Sequence, residues 1–140
     1  MVLRLLILCA LGLGQVAWAA ASSPAVAVAS PGVTETTVSA DRLRDILLGR
    51  VTNWADGTPI IILLSEDPAA VAAQRTLTGR DLPQLMRGWK RLVYGGNGAM
   101  PTVHSTTLEV LTELRRRPGA VTVLPNAVDE ERYTIIYRKP

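Results

Sequence analysis

Two stretches of the 140-residue chain place hydroxyl groups between an apolar run and a helix-start signal, and a third places one at a turn. They are Ser65-Glu66-Asp67, Thr102-Val103-His104-Ser105-Thr106 and Ser30-Pro31-Gly32. Helix N-termini expose free backbone N–H groups and a partial positive charge, so hydroxyls beside them suit a small oxyanion. In open α/β sheets such places gather at the carboxyl ends of strands. Ser30, Gly32, Ser65, Ser105 and Thr106 are therefore the candidate ligand-binding residues. Glu66 and Asp67 add negative charge at one of these places, which repels a fully ionised anion. A protonated oxyanion could instead donate a hydrogen bond to one of them. The alternative reading of the same hydroxyls is that they only cap helices.

Other chemistry finds little support. His104 is the single histidine, and no serine–acid or cysteine partner is suggested by its spacing, so it reads as a loop or surface residue. No His, Asp and Glu set has metal-ligand spacing, and Glu109 and Glu113 read as one solvated helix face. Gly95-Gly96-Asn97-Gly98 reads as a turn, since no Lys-Ser/Thr or GxGxxG pattern accompanies it. The one cysteine, Cys9, lies in the apolar N-terminal segment, which leaves no disulfide, thiol nucleophile or thiolate metal site beyond it. These residues point to binding without catalysis, and to no metal and no cofactor.

Alternation of strand and helix patterns must position the hydroxyls. Ala25-Val26-Ala27-Val28-Ala29 predicts a buried strand ended by the Ser30-Pro31-Gly32 turn. Ser39 predicts a cap for a helix bearing Leu43, Ile46 and Leu47 on one face and ended by Gly49. The run Ile60-Ile61-Ile62-Leu63-Leu64 has no polar alternation and predicts a strand buried on both faces. Pro68 opens a helix that stops near Gly79, and Asp81 starts another carrying Leu82, Leu85, Met86 and Trp89. Ser105 caps a helix over 106–117 with Leu108, Leu111 and Leu114 inward and three arginines at its C-terminus. Strands over 120–124 and 133–137 complete the pattern. The fold class is α/β, with a largely parallel sheet flanked by helices.

Composition is 48% hydrophobic and 19% charged, which excludes a disordered or nucleic-acid-tail character. Part of that apolar share lies at the N-terminus. Residues 1–19 have a basic start, an apolar run and a small-x-small end, the pattern of a secretory signal peptide. The run is shorter than the roughly 20 residues needed to span a bilayer. Residues 20–24 form a flexible leader, and 25–140 form one domain. The expected location is the periplasm, with no membrane insertion after cleavage. Without Arg4 the chain carries 14 basic and 12 acidic side chains, too small an excess to argue for nucleic acid.

Residues 43–54 (Leu43-Arg44-Asp45-Ile46-Leu47-Leu48-Gly49-Arg50-Val51-Thr52-Asn53-Trp54) followed by Asp56-Gly57 closely resemble a segment of the phosphate-binding proteins of ABC transporters. Trp89, Tyr94-Gly95, Gly98 and Pro101 resemble a second segment of that family, and Val110-Leu111 with Arg117-Pro118-Gly119-Ala120-Val121 a third. The likeness covers residues 25–138. It implies a periplasmic-binding-protein-like (type II) domain, a phosphate-like oxyanion as ligand and a membrane transporter or envelope protein as partner. Longer members hold phosphate between two lobes, and this chain has the length of about one lobe with crossover strands. Where the family carries a serine-rich, arginine-containing run, this chain reads Glu66-Asp67-Pro68-Ala69-Ala70, with the arginine position falling near Ala70. Arg75, one turn further on, is the candidate charge partner that remains. The leading expectation is an exported protein binding phosphate without catalysis. The alternative is a degenerate binding-protein domain acting as a protein-interaction or regulatory module.

Overall fold

The computed structural model describes residues 24–126, 128 and 130–139. The expected signal peptide and residues 20–23 of the leader lie outside them. Strands β1 (Ala25–Ala29), β2 (Ile61–Ser65), β3 (Thr102–His104), β4 (Ala120–Leu124) and β5 (Thr134–Lys139) form one sheet in the order β3-β2-β4-β1-β5. Helices α1 (Ala40–Leu47), α2 (Pro68–Thr78), α3 (Leu82–Tyr94) and α4 (Thr107–Arg116) flank it.

The α/β class holds, but the sheet is mixed. Strand β2 pairs in parallel with β3 and β4, whereas β1 lies antiparallel between β4 and β5. Four strands thus share one direction and β1 alone opposes them. The three central strands are buried on both faces almost throughout, as their unbroken apolar runs require. One face presents Ala25, Ala27, Ala29, Ile62, Leu64, Val121 and Val123 to α1, α2 and α3, where Leu43, Ile46, Ala73, Leu77, Leu85 and Trp89 cover it. The opposite face presents Val26, Val28, Leu63, Ala120 and Leu124 to Val110 and Leu114 of α4, with Tyr133 and Val128 completing the cover.

Local signals set most helix ends. The Ser39 hydroxyl accepts the Arg42 N–H at 3.2 Å to cap α1, and α3 opens with a capping box between Asp81 and Gln84. Helix α2 stops at Gly79 in the left-handed conformation. Three expectations fail in detail. Residues 102–104, read as loop, form β3, which is too short to show a period. Thr106, rather than Ser105, caps α4, its hydroxyl accepting the Glu109 N–H at 3.2 Å. Leu108 is 74% exposed: Leu114 faces inward as expected, but the buried face is centred on Val110 and Leu114, and Leu108 stands outside it.

Several of the residues that carry the family resemblance are scaffold. The Trp54 indole N–H donates to the Gly119 carbonyl at 2.9 Å, and Trp89 donates to the Leu47 carbonyl at 2.9 Å. The Glu35 carboxylate takes the Arg42 guanidinium at 2.8 and 2.6 Å and the Ala55 N–H at 2.7 Å, tying α1 to the Trp54 loop. Gly119 has φ +81°, and a Cβ there would meet the Pro59 carbonyl oxygen at 2.5 Å and Thr58 Cγ2 at 3.1 Å. Gly32 has φ +93° in open space, the third residue of a Ser30–Val33 turn closed by a 3.2 Å bond from the Val33 N–H to the Ser30 carbonyl. Gly32→Ala is therefore expected to cost about 1–2 kcal/mol for the backbone alone. Gly119→Ala adds the collision and is expected to cost about 3–4 kcal/mol. Urea denaturation of both variants checks this; equal losses would refute the close packing of the Trp54 loop on β4.

Candidate functional site

Strands β2 and β3 end side by side, with Ser65 paired to His104, and each leads into a helix. The Glu66 N–H donates to the His104 carbonyl at 2.9 Å and closes this edge. The buried Ser65 hydroxyl accepts the Asp67 N–H at 3.1 Å and lies 3.3 Å from the Thr107 hydroxyl. Asp67 stands at the N-cap position of α2 yet makes no cap bond to its own helix. Its carboxylate instead accepts the Thr107 N–H, the first of α4, at 2.7 Å. One acidic side chain thus leaves α2 without a side-chain cap and supplies negative charge to the start of α4.

The Thr107 hydroxyl, and next its N–H, hold the Asp67 carboxyl below the usual carboxylate range, with the Ser65 hydroxyl adding to them and desolvation opposing. Gln74, buried on α2, donates its amide to the Ser65 carbonyl at 3.3 Å. Its Oε1 is buried without a hydrogen-bond partner among the described residues, as is His104 Nε2. A buried acceptor left unpaired carries a desolvation cost that a donor would relieve. His104 faces α4, where it lines a hollow of about 310 Å³ with Leu108, Glu109, Thr112 and Glu113.

The candidate residues do not all meet. Ser65, Ser105 and Thr106 stand at the carboxyl edge, with Ser105 and Thr106 exposed at the start of α4. The Ser105 N–H donates to the Glu109 carboxylate at 3.2 Å, and the Thr106 hydroxyl is spent on its cap. Ser30 and Gly32 lie at the opposite edge. The Ser30 N–H donates to the Ala120 carbonyl at 2.8 Å, level with Ile61, so the length of β2 (about 13 Å) separates Ser30 from Ser65. The reversal of β1 causes this, because it sends the carboxyl end of β1 away from those of β2 and β3. A small cavity of about 140 Å³ lies there, lined by Gly32, Trp54, Asp56 and Gly119 among others.

Arg75 is exposed in the last turn of α2, seven residues or about 10 Å along the helix from Pro68. It complements the C-terminal end of the helix dipole and lies away from the site. Thr107 and Gln74 were missed by sequence reasoning. Gln74 had left a trace, as the one polar residue of the Pro68-Ala69-Ala70-Val71-Ala72-Ala73-Gln74 run. Among the described residues no group of three or more His, Cys, Asp or Glu could hold a metal ion.

Solved structures share this architecture. A phosphate-bound crystal structure from Clostridium perfringens, of a protein assigned as a phosphate ABC transporter substrate-binding protein, superposes with a TM-score of 0.62 at 11% identity. It is matched over 80% of this chain and 43% of its own. An ABC-type phosphate transport receptor from Vibrio cholerae gives 0.60 at 15% identity, over 80% of this chain and 44% of its own. A candidate phosphate-binding protein from Planctomyces limnophilus gives 0.56 at 11% identity, over 82% and 42%. The chain thus spans less than half the length of the structures it matches, and the likeness is one of fold. No protein-family model and no curated protein matches the chain.

Asp67 gives the site a pH signature. A carboxyl whose folded pKa is depressed adds stability that is complete above its unfolded value, about 3.9, and is lost as pH falls through the lower folded value. Asp67→Asn should therefore flatten the acid limb of stability between about pH 5 and pH 2. Urea midpoints across that range test it; an unchanged slope would show that the Thr107 contact does not form.

Proposed function

We propose that the chain is an exported, periplasmic solute-binding-type domain that holds a small protonated oxyanion, phosphate first, and performs no catalysis. The ligand lies at the carboxyl edge, against the uncapped start of α2 and beside Ser65 and Asp67. A membrane transporter or another envelope protein receives it. The fold likeness to phosphate-binding proteins supports this reading. Among the described residues no helix is long and apolar enough to cross a membrane.

The observation that carries the reading is the pairing of an uncapped helix start with a carboxylate held ionised. Backbone N–H groups donate to the bare oxygens of an oxyanion, while Asp67 accepts only from one that keeps a proton. Hydrogen phosphate supplies that proton at neutral pH; sulfate presents acceptors only and is repelled. A second reading has an observation of its own. Asp67 already fills the start of α4, and Arg75 stands at the far end of α2, which fits a domain that has given up its solute and contacts protein instead. Trp54 and Trp89, which an exposed docking face would have used, are buried.

Calorimetric titration of the chain from Ala20 onward with phosphate and sulfate, at pH 5 and pH 8, separates the two. Saturable one-to-one phosphate binding is expected, with sulfate weaker by at least about tenfold and that preference lost in Asp67→Asn. No heat at millimolar phosphate from folded protein would overturn the solute reading in favour of the protein-contact one.

A further inference from the structure

Away from the carboxyl edge, the outer face of α3 forms a hollow of about 320 Å³ lined by Gly79, Arg80, Gln84, Arg87, Gly88 and Arg91. Gln84, Arg87, Gly88 and Arg91 follow the i, i+3, i+4, i+7 spacing of one helix face. The opposite face buries Leu85 and Trp89 in the core. Arg80 reaches in from the α2–α3 junction. Its Nη1 lies 3.1 Å from where a Gly88 Cβ would stand, so the missing side chain is the space over which the guanidinium lies. Glycine is a poor residue for a helix interior, and at position 88 no core packing calls for one.

The charge is one-sided. Between residues 68 and 98 the only acid is Asp81, which caps α3, against Arg75, Arg80, Arg87, Lys90 and Arg91. Elsewhere Arg42, Arg50, Arg116 and Arg117 stand beside carboxylates. Among the described residues no carboxylate pairs with Arg80, Arg87 or Arg91.

We propose that this hollow is a second anion site, for a ligand carrying two or three linked phosphoryl groups. Each guanidinium is a planar fork that takes two oxygens of an oxyanion, and the three together balance about three negative charges. A single phosphate group carries only about −1.5 to −2 charge at neutral pH and leaves the three guanidiniums incompletely balanced. The volume sits at the small end of ligand clefts, about 300–1,000 Å³. Free oligophosphates and the clustered phosphates of lipid headgroups share this chemistry. The site does not depend on the carboxyl-edge reading, and Asp67→Asn should leave it intact.

Pyrophosphate titrated into the protein at low ionic strength is the first probe, and sedimentation with cardiolipin–phosphatidylcholine vesicles, whose anionic headgroup joins two phosphates, is the second. Saturable pyrophosphate binding is expected, weakened by added salt. Arg87→Ser with Arg91→Ser should weaken it by at least about tenfold. Vesicle binding lost in the same double variant, without pyrophosphate binding, would support the site and assign the headgroup as its source. Failure of both probes, or equal binding by the folded double variant and the wild type, would overturn the proposal.

Discussion

Three adjacent strands that are apolar on both faces govern this molecule. A sheet whose centre has no polar side must be covered twice, and the cover here is asymmetric. On β1 the two faces differ in size, with Ala25, Ala27 and Ala29 on one and Val26 and Val28 on the other. The alanine face admits three helices, and α2 brings its own small residues, Ala70 and Ala73, onto the sheet. The valine face is closed by α4 and the segment leading into β5. Close packing of this kind tolerates few changes of volume, so helix positions follow from side-chain size along one five-residue strand.

Covering both faces leaves two edges, and the chemistry divides between them. At one edge the chain reverses through Trp54, Gly119 and the Ser30–Val33 turn, where an indole N–H and a missing Cβ lock the loops together. At the other edge β2 and β3 release their chains into α2 and α4, and Asp67 bridges the two helix starts. Of the residues that resemble the phosphate-binding family, Gly49, Trp54, Trp89 and Gly119 belong to the locking and packing of the scaffold. The fold is shared with the solved structures at only 11–15% identity, and packing contacts of this kind hold it together here. Scaffold residues answer to the sheet they hold together, whereas ligand residues answer only to the ligand.

Much of the fold was legible in the chain. The Ser39 and Asp81 caps and the Pro68 start and Gly79 stop of α2 rest on contacts within a few residues, and the buried runs of β1, β2 and β4 on unbroken apolar composition, both of which the sequence records. Leu108 is exposed because an i, i+3, i+6 series drifts around the helix: at about 100° per residue Leu108 stands roughly 120° from Leu114, whereas Val110 stands roughly 40° from it. Strand β3 has three residues and pairs only at one side, so its identity depends on β2 lying beside it. Of the candidate site, Ser65 and the start of α4 were legible, but Thr107 and Gln74 were not, because their roles exist only once β2, α2 and α4 are packed.

The sequence by itself determined the buried strand runs, most helix ends and that an α/β sheet would form, since apolar runs and capping are read locally. Only the tertiary structure decided that β1 runs against its neighbours, which separates Ser30 from Ser65 by the length of a strand. Only it decided that Asp67 serves α4 rather than its own helix, and that Arg75 points away. The physical reason is common to all three. Burial depends on the side chain a residue carries, but strand direction and the meeting of helix ends depend on backbone hydrogen bonds between segments distant in sequence. A strand's pattern reads the same whichever way its neighbour runs.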